Sequence, residues 1–251
     1  LSLNAGSLDG ELRTAGRGFS TGGFSRPARR LLVVGEIAVA VVVLVFAGLL
    51  YRSVSRLGQI DLGFTAEHLL AVDLDVPREL ESAPNESVDR FYDDAIATIA
   101  GTPGVLSAGA AYGRPLKGPI GLDSSWRLEG QLQDEAARNP WLNLETITPG
   151  YFEALGIPIR TGRDFSWRDW GGSRKLCLVN EALVKDYLDG ANPVGRQLGQ
   201  GRSVPADTEI IGVFGNARYH DVREEIPRQT FVNLDGRIGR VGSVTVYARI
   251  Q

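Results

Sequence analysis

The chain has no methionine and only one cysteine and two histidines among its 251 residues. Because open reading frames begin with methionine, a first residue of Leu1 predicts a piece of a longer protein. The single cysteine, Cys177, excludes an intrachain disulfide, on which small secreted scaffolds depend. The composition therefore favours a bacterial envelope protein. Cys177 lies in the apolar run Leu-Cys-Leu-Val, so we expect it to be a small buried side chain.

The sequence also lacks the common catalytic motifs. It has no GxxxxGK[ST] phosphate loop, no GxSxG elbow, and no CxxC or HExxH spacing. His68 and His220 lie far apart, each beside one acidic residue, and this arrangement does not predict a metal or acid–base site. We therefore expect no enzyme activity, no cofactor, no metal and no ATP binding by this chain alone.

One long apolar run is present, at residues 31–51, with a single charge at Glu36 and no proline. A helix of that length spans about 31 Å, close to the roughly 30 Å of a bilayer core. A buried helix of a soluble protein is rarely apolar on every face over six turns, and the run is too long for a signal peptide. The run predicts a membrane-spanning helix that extends to residue 57.

Charge is distributed unevenly around this predicted span. Five arginines lie in the twenty residues before it and two in the twenty after it. By the positive-inside rule the N-terminus is cytoplasmic and the rest lies outside. Residues 1–57 carry a net charge of +4 (seven basic, three acidic), and residues 58–251 carry −7 (twenty basic, twenty-seven acidic). Residues 1–30 are thus a basic cytoplasmic segment, and the acidic remainder does not predict nucleic-acid binding.

Within the span, Ala40, Ala47 and Gly48 fall close to one face at helical spacing, which suits close packing of another helix. Glu36 is open to two interpretations. It is either a coupling or proton site, or a side chain that reaches the interface or forms a hydrogen bond in a helix bundle. These four residues are the candidate packing or coupling site.

Patterns after the span predict a mixed α+β domain. Residues 70–76 alternate as a half-buried strand, and residues 88–99 place apolar side chains on one helical face. Residues 105–112 form a second strand, so 69–112 predicts a βαβ unit. The last strand, 243–249, alternates as if one face were buried. We expect a further helix to be needed to cover that sheet.

Six phrases occur in an order that resembles one family. They are ARRLLVVGEIAVAVVVLVFAGLLYRSVSRL, DLGFTAEHLLAVDLDVP, RFYDDAIATIAGTPGVLSAGAAYGRPL, TPGYFEALGIPIRTGRDFSWRD, LVNEALVKDYLDGANPVGRQL and EIIGVFGNARYHDVREEIPRQTFVNL. Together they resemble MacB/FtsX-type ABC transporter permeases, particularly the acidobacterial duplicated orphan permeases.

The resemblance implies a four-helix membrane unit with a two-part periplasmic core domain between its first two helices. It implies a cytoplasmic linker at 1–30, a transmembrane helix at 31–57, a porter-like βαβ subdomain at 58–149, an inserted smaller subdomain at 150–234 and an incomplete return strand at 235–251. It further implies that residues 1–30 link two permease copies, and that three further membrane helices are absent here.

The resemblance implies a non-catalytic permease subunit in the bacterial inner membrane. Its implied partners are a cytoplasmic ABC ATPase, a second permease copy or half, and a periplasmic adaptor. The alternative is a single-pass membrane sensor whose extracytoplasmic domain binds a small ligand.

Overall fold

The computed structural model describes residues 26–58, 60–80, 82–112, 114–115, 122–139, 141–169, 174–201, 205–219, 225–233 and 243–251. The predicted linker at 1–30 therefore lies mostly outside the described residues, as does His220. The described residues fall in two compact units, one up to residue 59 and one over Ile60–Gln251. We call the second unit the C-terminal domain.

The first unit contains one long helix, α1 (Arg26–Leu57). It begins five residues before the predicted span, with Pro27 in its first turn, where a missing N–H costs no hydrogen bond. It ends at the predicted residue, Leu57. Residues 29–56 are the candidate membrane span among the described residues, with a mean hydropathy of 2.7 over the best window. The prediction of one N-terminal apolar helix is confirmed.

The C-terminal domain alternates short helices with eleven strands over its described residues. The helices are α2 (Asn85–Ala100), α3 (Gln133–Ala136), α4 (Tyr151–Leu155) and α5 (Glu181–Leu188). The strands are β1 (Leu69–Asp75), β2 (Val105–Ala111), β3 (Leu122–Ser124), β4 (Arg127–Leu128), β5 (Leu142–Ile147), β6 (Ile159–Gly162), β7 (Leu176–Asn180), β8 (Gln197–Gly199), β9 (Thr208–Phe214), β10 (Gln229–Asn233) and β11 (Ser243–Ile250). The predicted mixed fold is confirmed.

All eleven strands belong to one sheet, whose main order is β1-β11-β2-β5-β10-β7-β9-β8-β4. β1 and β2 run parallel and α2 connects them, as predicted, but they are not neighbours. β11 lies between them and pairs antiparallel with both. The predicted βαβ unit is therefore a split one, and the last strand completes it.

A second crossover connects β7 to β9 through α5. The two strands are adjacent and parallel. Asn180 caps α5, because its Oδ1 accepts a hydrogen bond from the Leu183 N–H at 3.1 Å. β7 is buried on both faces, and Cys177 within it is fully buried. The prediction for Cys177 is confirmed, and burial raises the pKa of its thiol well above the ordinary range.

The sheet separates three apolar clusters. An aromatic cluster lies against α4 and includes Tyr151, Phe152, Phe214 and Phe231. On the opposite face, α5 covers a cluster that contains Trp126, and α2 covers one that contains Tyr92 and Val246. The placement follows strand alternation, since neighbours such as Cys177 and Leu178 belong to different clusters.

One local prediction differs from the structure. β11 is buried on both faces, because α2 covers Val244 and Val246 while Tyr247 packs in the aromatic cluster beside α4. A single buried face was therefore the wrong expectation. Residues 122–128 form two short strands, β3 and β4, with the buried Trp126 between them.

The predicted division at residues 149 and 234 falls within this continuous sheet. β5, from the predicted porter-like part, pairs in parallel with β10, from the predicted insert, over five residues. β5 meets β2 at only one residue pair, Ala111 with Ile147. Pairing within the sheet is thus least extensive between β2 and β5. The division into a porter-like part and an insert stays a prediction.

Candidate functional site

Residues 60–68, the first of the C-terminal domain, cross its surface before β1 begins, and we call them the strap. Asp61 Oδ1 accepts a hydrogen bond from the Gly63 N–H at 2.8 Å, which closes a tight turn. Phe64 then packs against the aromatic cluster. The sequence phrase Asp-Leu-Gly-Phe thus supplies one turn residue, one glycine and one apolar anchor.

Gly63 allows the strap to pass very close to the loop after β9. Its φ is +74°, and a Cβ added there would lie 2.0 Å from the carbonyl oxygen of Asn216. The Arg218 N–H donates to the Leu62 carbonyl at 2.8 Å. Only glycine satisfies both the backbone angle and the close approach at this position.

A second group of hydrogen bonds fixes the far half of the strap. The Thr65 N–H donates to the carbonyl of Leu155, at the end of α4, at 2.8 Å. Arg249 of β11 donates to three backbone carbonyls, those of Thr65 at 2.7 Å, Glu67 at 2.9 Å and Ala154 at 2.8 Å. The strap is therefore bonded to α4, to β11 and to the β9 loop.

The strap forms one wall of an open cleft of about 520 Å³. Its polar lining consists of Asp61, Thr65, Arg160, Glu181, Asn216 and Arg218. Arg160 Nε lies 3.3 Å from Glu181 Oε1, and the other carboxylate oxygen accepts the Asn216 N–H at 3.2 Å. Charges of both signs are present, so the lining favours a polar or zwitterionic group over a strongly charged one.

A cluster of tyrosines lies in the aromatic core. The Tyr151 hydroxyl donates to the Tyr219 hydroxyl at 3.3 Å. Burial raises the pKa of Tyr151, Tyr219 and Tyr247 well above the ordinary tyrosine range. The three hydroxyls therefore stay protonated at neutral pH and serve packing and hydrogen bonding.

No group of three or more potential metal ligands occurs among the described residues. His68 is exposed and has a left-handed backbone, with φ of +55°, in the turn that leads into β1. Its carbonyl accepts the Ile250 N–H at 2.9 Å, so it extends the pairing of β1 with β11 by one bond. Within the described part of the chain, His68 therefore contributes to strand pairing through its backbone.

The four candidate residues predicted from the sequence lie on α1. At about 100° per residue, Glu36, Ala40 and Ala47 fall within an arc of about 40°, and Gly48 lies about 80° beyond Ala40. All four are exposed, and a Cβ added at Gly48 would contact nothing within 4 Å. The helix thus presents Glu36 beside the two alanines on one face.

Arg249 was not identified as a candidate residue from the sequence. In the strand pattern Arg249 occupies an ordinary polar position at the end of an alternating run. Its partners are three carbonyls that lie more than 90 residues away along the chain. Backbone acceptors leave no mark in the sequence, so no local signal could have identified this contact.

Comparison with protein families and with curated proteins finds no match for this chain. The solved structures that are similar to it include the two described here. One is the periplasmic region of MacB from Actinobacillus actinomycetemcomitans, with 12% identity, a TM-score of 0.48, and coverage of 78% of this chain and 80% of that one. The other is the extracellular domain of the noncanonic ABC-type transporter YknZ from Gram-positive bacteria, with 15% identity, a TM-score of 0.44, and coverage of 73% and 83%.

Proposed function

We propose that this chain is a non-catalytic permease subunit of an ABC-type, MacB/FtsX-like transporter or mechanotransmission complex. In this proposal α1 crosses the bacterial inner membrane, the N-terminus is cytoplasmic and the C-terminal domain is periplasmic. The length and hydropathy of α1 and the excess of arginines before it support this placement.

The observation that carries the proposal is the bonded strap. A flexible linker between a membrane helix and a domain would absorb a displacement of the helix through its own conformational freedom. Here the chain that follows α1 is fixed at Leu62, Thr65 and Glu67, which lie between about five and ten residues after the helix end. A displacement of α1 along the chain direction is therefore passed to the sheet.

The energy for such a displacement comes from a partner in this proposal. The sequence has no phosphate loop, so a separate cytoplasmic ABC ATPase acts on the membrane helices. Glu36, Ala40, Ala47 and Gly48 form the face on which a second permease copy or further membrane helices pack. A periplasmic adaptor contacts the C-terminal domain.

We also propose the two-part division for the C-terminal domain. Residues 58–149 form a porter-like part, which residues 235–251 complete, and residues 150–234 form the insert. The single pairing between β2 and β5 supports a division into two parts, because few backbone hydrogen bonds would resist bending there. It groups β5 with the insert strand β10, so it favours a boundary before β5 rather than at residue 149.

The proposal is tested by topology and by nucleotide binding. A periplasm-active reporter fused after residue 60 should be active, and the same reporter fused before residue 28 should be inactive, with a cytoplasm-active reporter giving the opposite result. The purified chain alone should not bind ATP. The reversed reporter pattern would contradict the orientation, and saturable ATP binding would contradict the non-catalytic role.

The strap cleft favours a second candidate, a single-pass sensor. A cleft of about 520 Å³ with Arg160 and Glu181 in its lining is large enough for a small zwitterionic ligand. A thermal-shift screen with free amino acids distinguishes the two functions. A sensor would show a saturable rise in melting temperature that Glu181→Gln abolishes, whereas a permease subunit would show none.

A further inference from the structure

β1, the strand that follows the strap, has a single partner among the described residues. It is the terminal strand of the sheet and pairs only with β11, from Leu69 opposite Arg249 to Asp75 opposite Ser243. An edge strand of this kind is held by hydrogen bonds on one side only, so an outward pull on its end acts first on the terminal pair. The pair that would open first is the one beside the strap, Leu69 with Arg249.

Arg249 lies at this first pair and also holds the strap that precedes it. Its Nη1 and Nη2 donate to the carbonyls of Glu67 and Thr65, and its Nε donates to the carbonyl of Ala154 in α4. One guanidinium thus ties β11, the strap and α4 together. To separate β1 from β11, the strap must first leave the two Nη donors of Arg249.

We propose that Arg249 is a positioning residue that keeps the strap and the first pair of β1 closed, so that a displacement of α1 reaches β11 and α4 rather than detaching β1. This role rests on the proposed function, because it matters only if α1 moves. The planar guanidinium is required, since its rigid fork reaches three carbonyls in three directions. A lysine keeps the charge but presents a single nitrogen.

Hydrogen exchange on the full chain in lipid nanodiscs, read by mass spectrometry, tests the proposal. In Arg249→Ala the amides of residues 62–69 and the β1 amides bonded to β11 should exchange at least about tenfold faster, the expected effect of losing hydrogen bonds to a charged donor. Amides of β7, in the centre of the sheet, should not change. Arg249→Lys should resemble Arg249→Ala.

The matched control is Arg174→Ala, which removes an arginine whose Nη2 lies 2.6 Å from Glu209 Oε2 and whose side chain is 68% exposed. It should leave strap exchange within twofold of the wild type. Strap exchange within twofold of the wild type in both Arg249 variants would overturn the proposal. Equal acceleration of the strap and β7 would also overturn it, because Arg249 would then serve overall stability.

The assay is independent of transport. Hydrogen exchange requires neither an ATPase nor a substrate, so strap release is measured even in a protein that exports nothing. A failed topology test with a positive exchange result would reject the permease function and retain the contact. The opposite combination would retain the permease function and reject the role of Arg249.

Discussion

Gly63 is the residue at which the strap comes closest to the domain. Gly63→Ala combines a left-handed backbone angle with a Cβ that would lie 2.0 Å from the Asn216 carbonyl oxygen. We expect a loss of about 2 kcal/mol or more in the free energy of unfolding, measured by urea denaturation. The same substitution at Gly190 is a matched control, because φ is +78° and nothing lies within 4 Å.

Gly190→Ala should cost only about 1 kcal/mol, the effect of the backbone angle alone. The difference between the two variants therefore isolates the close approach of the strap to the β9 loop. Equal losses at the two positions would mean that the strap moves away from Asn216 without cost, and the strap would then be a loose segment.

Asp164 gives the domain a pH dependence with a defined sign. Burial raises the pKa of its carboxyl from 3.8 to about 6, although the Phe165 N–H donates to its Oδ1 at 2.6 Å and opposes the shift. The folded pKa exceeds the unfolded one, so the folded state retains a proton that the unfolded state loses. The contribution of this group to stability therefore falls as the pH rises from about 4 to about 6.

Asp164→Asn should remove this dependence and raise the free energy of unfolding at pH 7 by on the order of 1 kcal/mol. Urea denaturation at several pH values between 4 and 7 measures both effects. The control is Asp186→Asn, at an exposed carboxylate that pairs with Arg228. A slope of stability against pH that is unchanged in Asp164→Asn would contradict the assignment.

On α1, the candidate packing face can be tested by replacing alanines on opposite faces of the helix with leucine. Ala40 and Ala47 lie near Glu36, whereas Ala38 lies about 160° from Ala40 around the helix. Ala40→Leu should weaken association of the chain in membranes about tenfold if a second helix packs closely there. Fluorescence energy transfer between labelled chains in vesicles measures this effect.

Ala38→Leu adds the same side chain on the opposite face and should leave association unchanged. Equal effects at positions 38 and 40 would contradict a one-sided packing face. Glu36→Gln distinguishes the two interpretations of that residue through function, since association is kept in both. Glutamine retains function if Glu36 only forms a hydrogen bond, and it loses function if Glu36 is a proton or coupling site.

Helices and strands were predictable here where local pattern decides them, as for α2 and β1. The position of β11 was not, because alternation identifies a strand but not its neighbours. Val244 and Val246 indicated one buried face, while Thr245 and Tyr247 on the other face carry hydroxyl groups and appear polar in the sequence. Both are at most 5% exposed. Tyr247 packs on Tyr151 of α4, and the Thr245 hydroxyl donates to Asp73 Oδ1 at 2.8 Å. Arg249 was missed for the related reason that its partners are backbone atoms.

For the molecule as a whole, the sheet face beside α2 is incompletely covered. Leu70, Val72 and Leu106 are 51%, 45% and 59% exposed. Leu70 and Val72 lie opposite Ala248 and Val246 in the sheet, and Val246 is buried beneath α2. The three exposed side chains therefore extend the same apolar face beyond the edge of α2. We propose that a helix other than α2 covers this face.

The proposed cover makes Leu106→Asn a test with opposite outcomes in two proteins. In the isolated domain 58–251 the change should leave the melting temperature nearly unaltered and reduce aggregation, because the side chain is 59% exposed. In a protein extended by about 50 residues, the typical length of one more helix and strand, it should cost about 2 kcal/mol, since the leucine is then buried. Thermal melts with light scattering measure both effects.

The control is Val246→Asn, at a side chain that is already buried, and it should be destabilising in both proteins. A Leu106→Asn change that is neutral in both would mean that this face stays in contact with solvent in the longer protein.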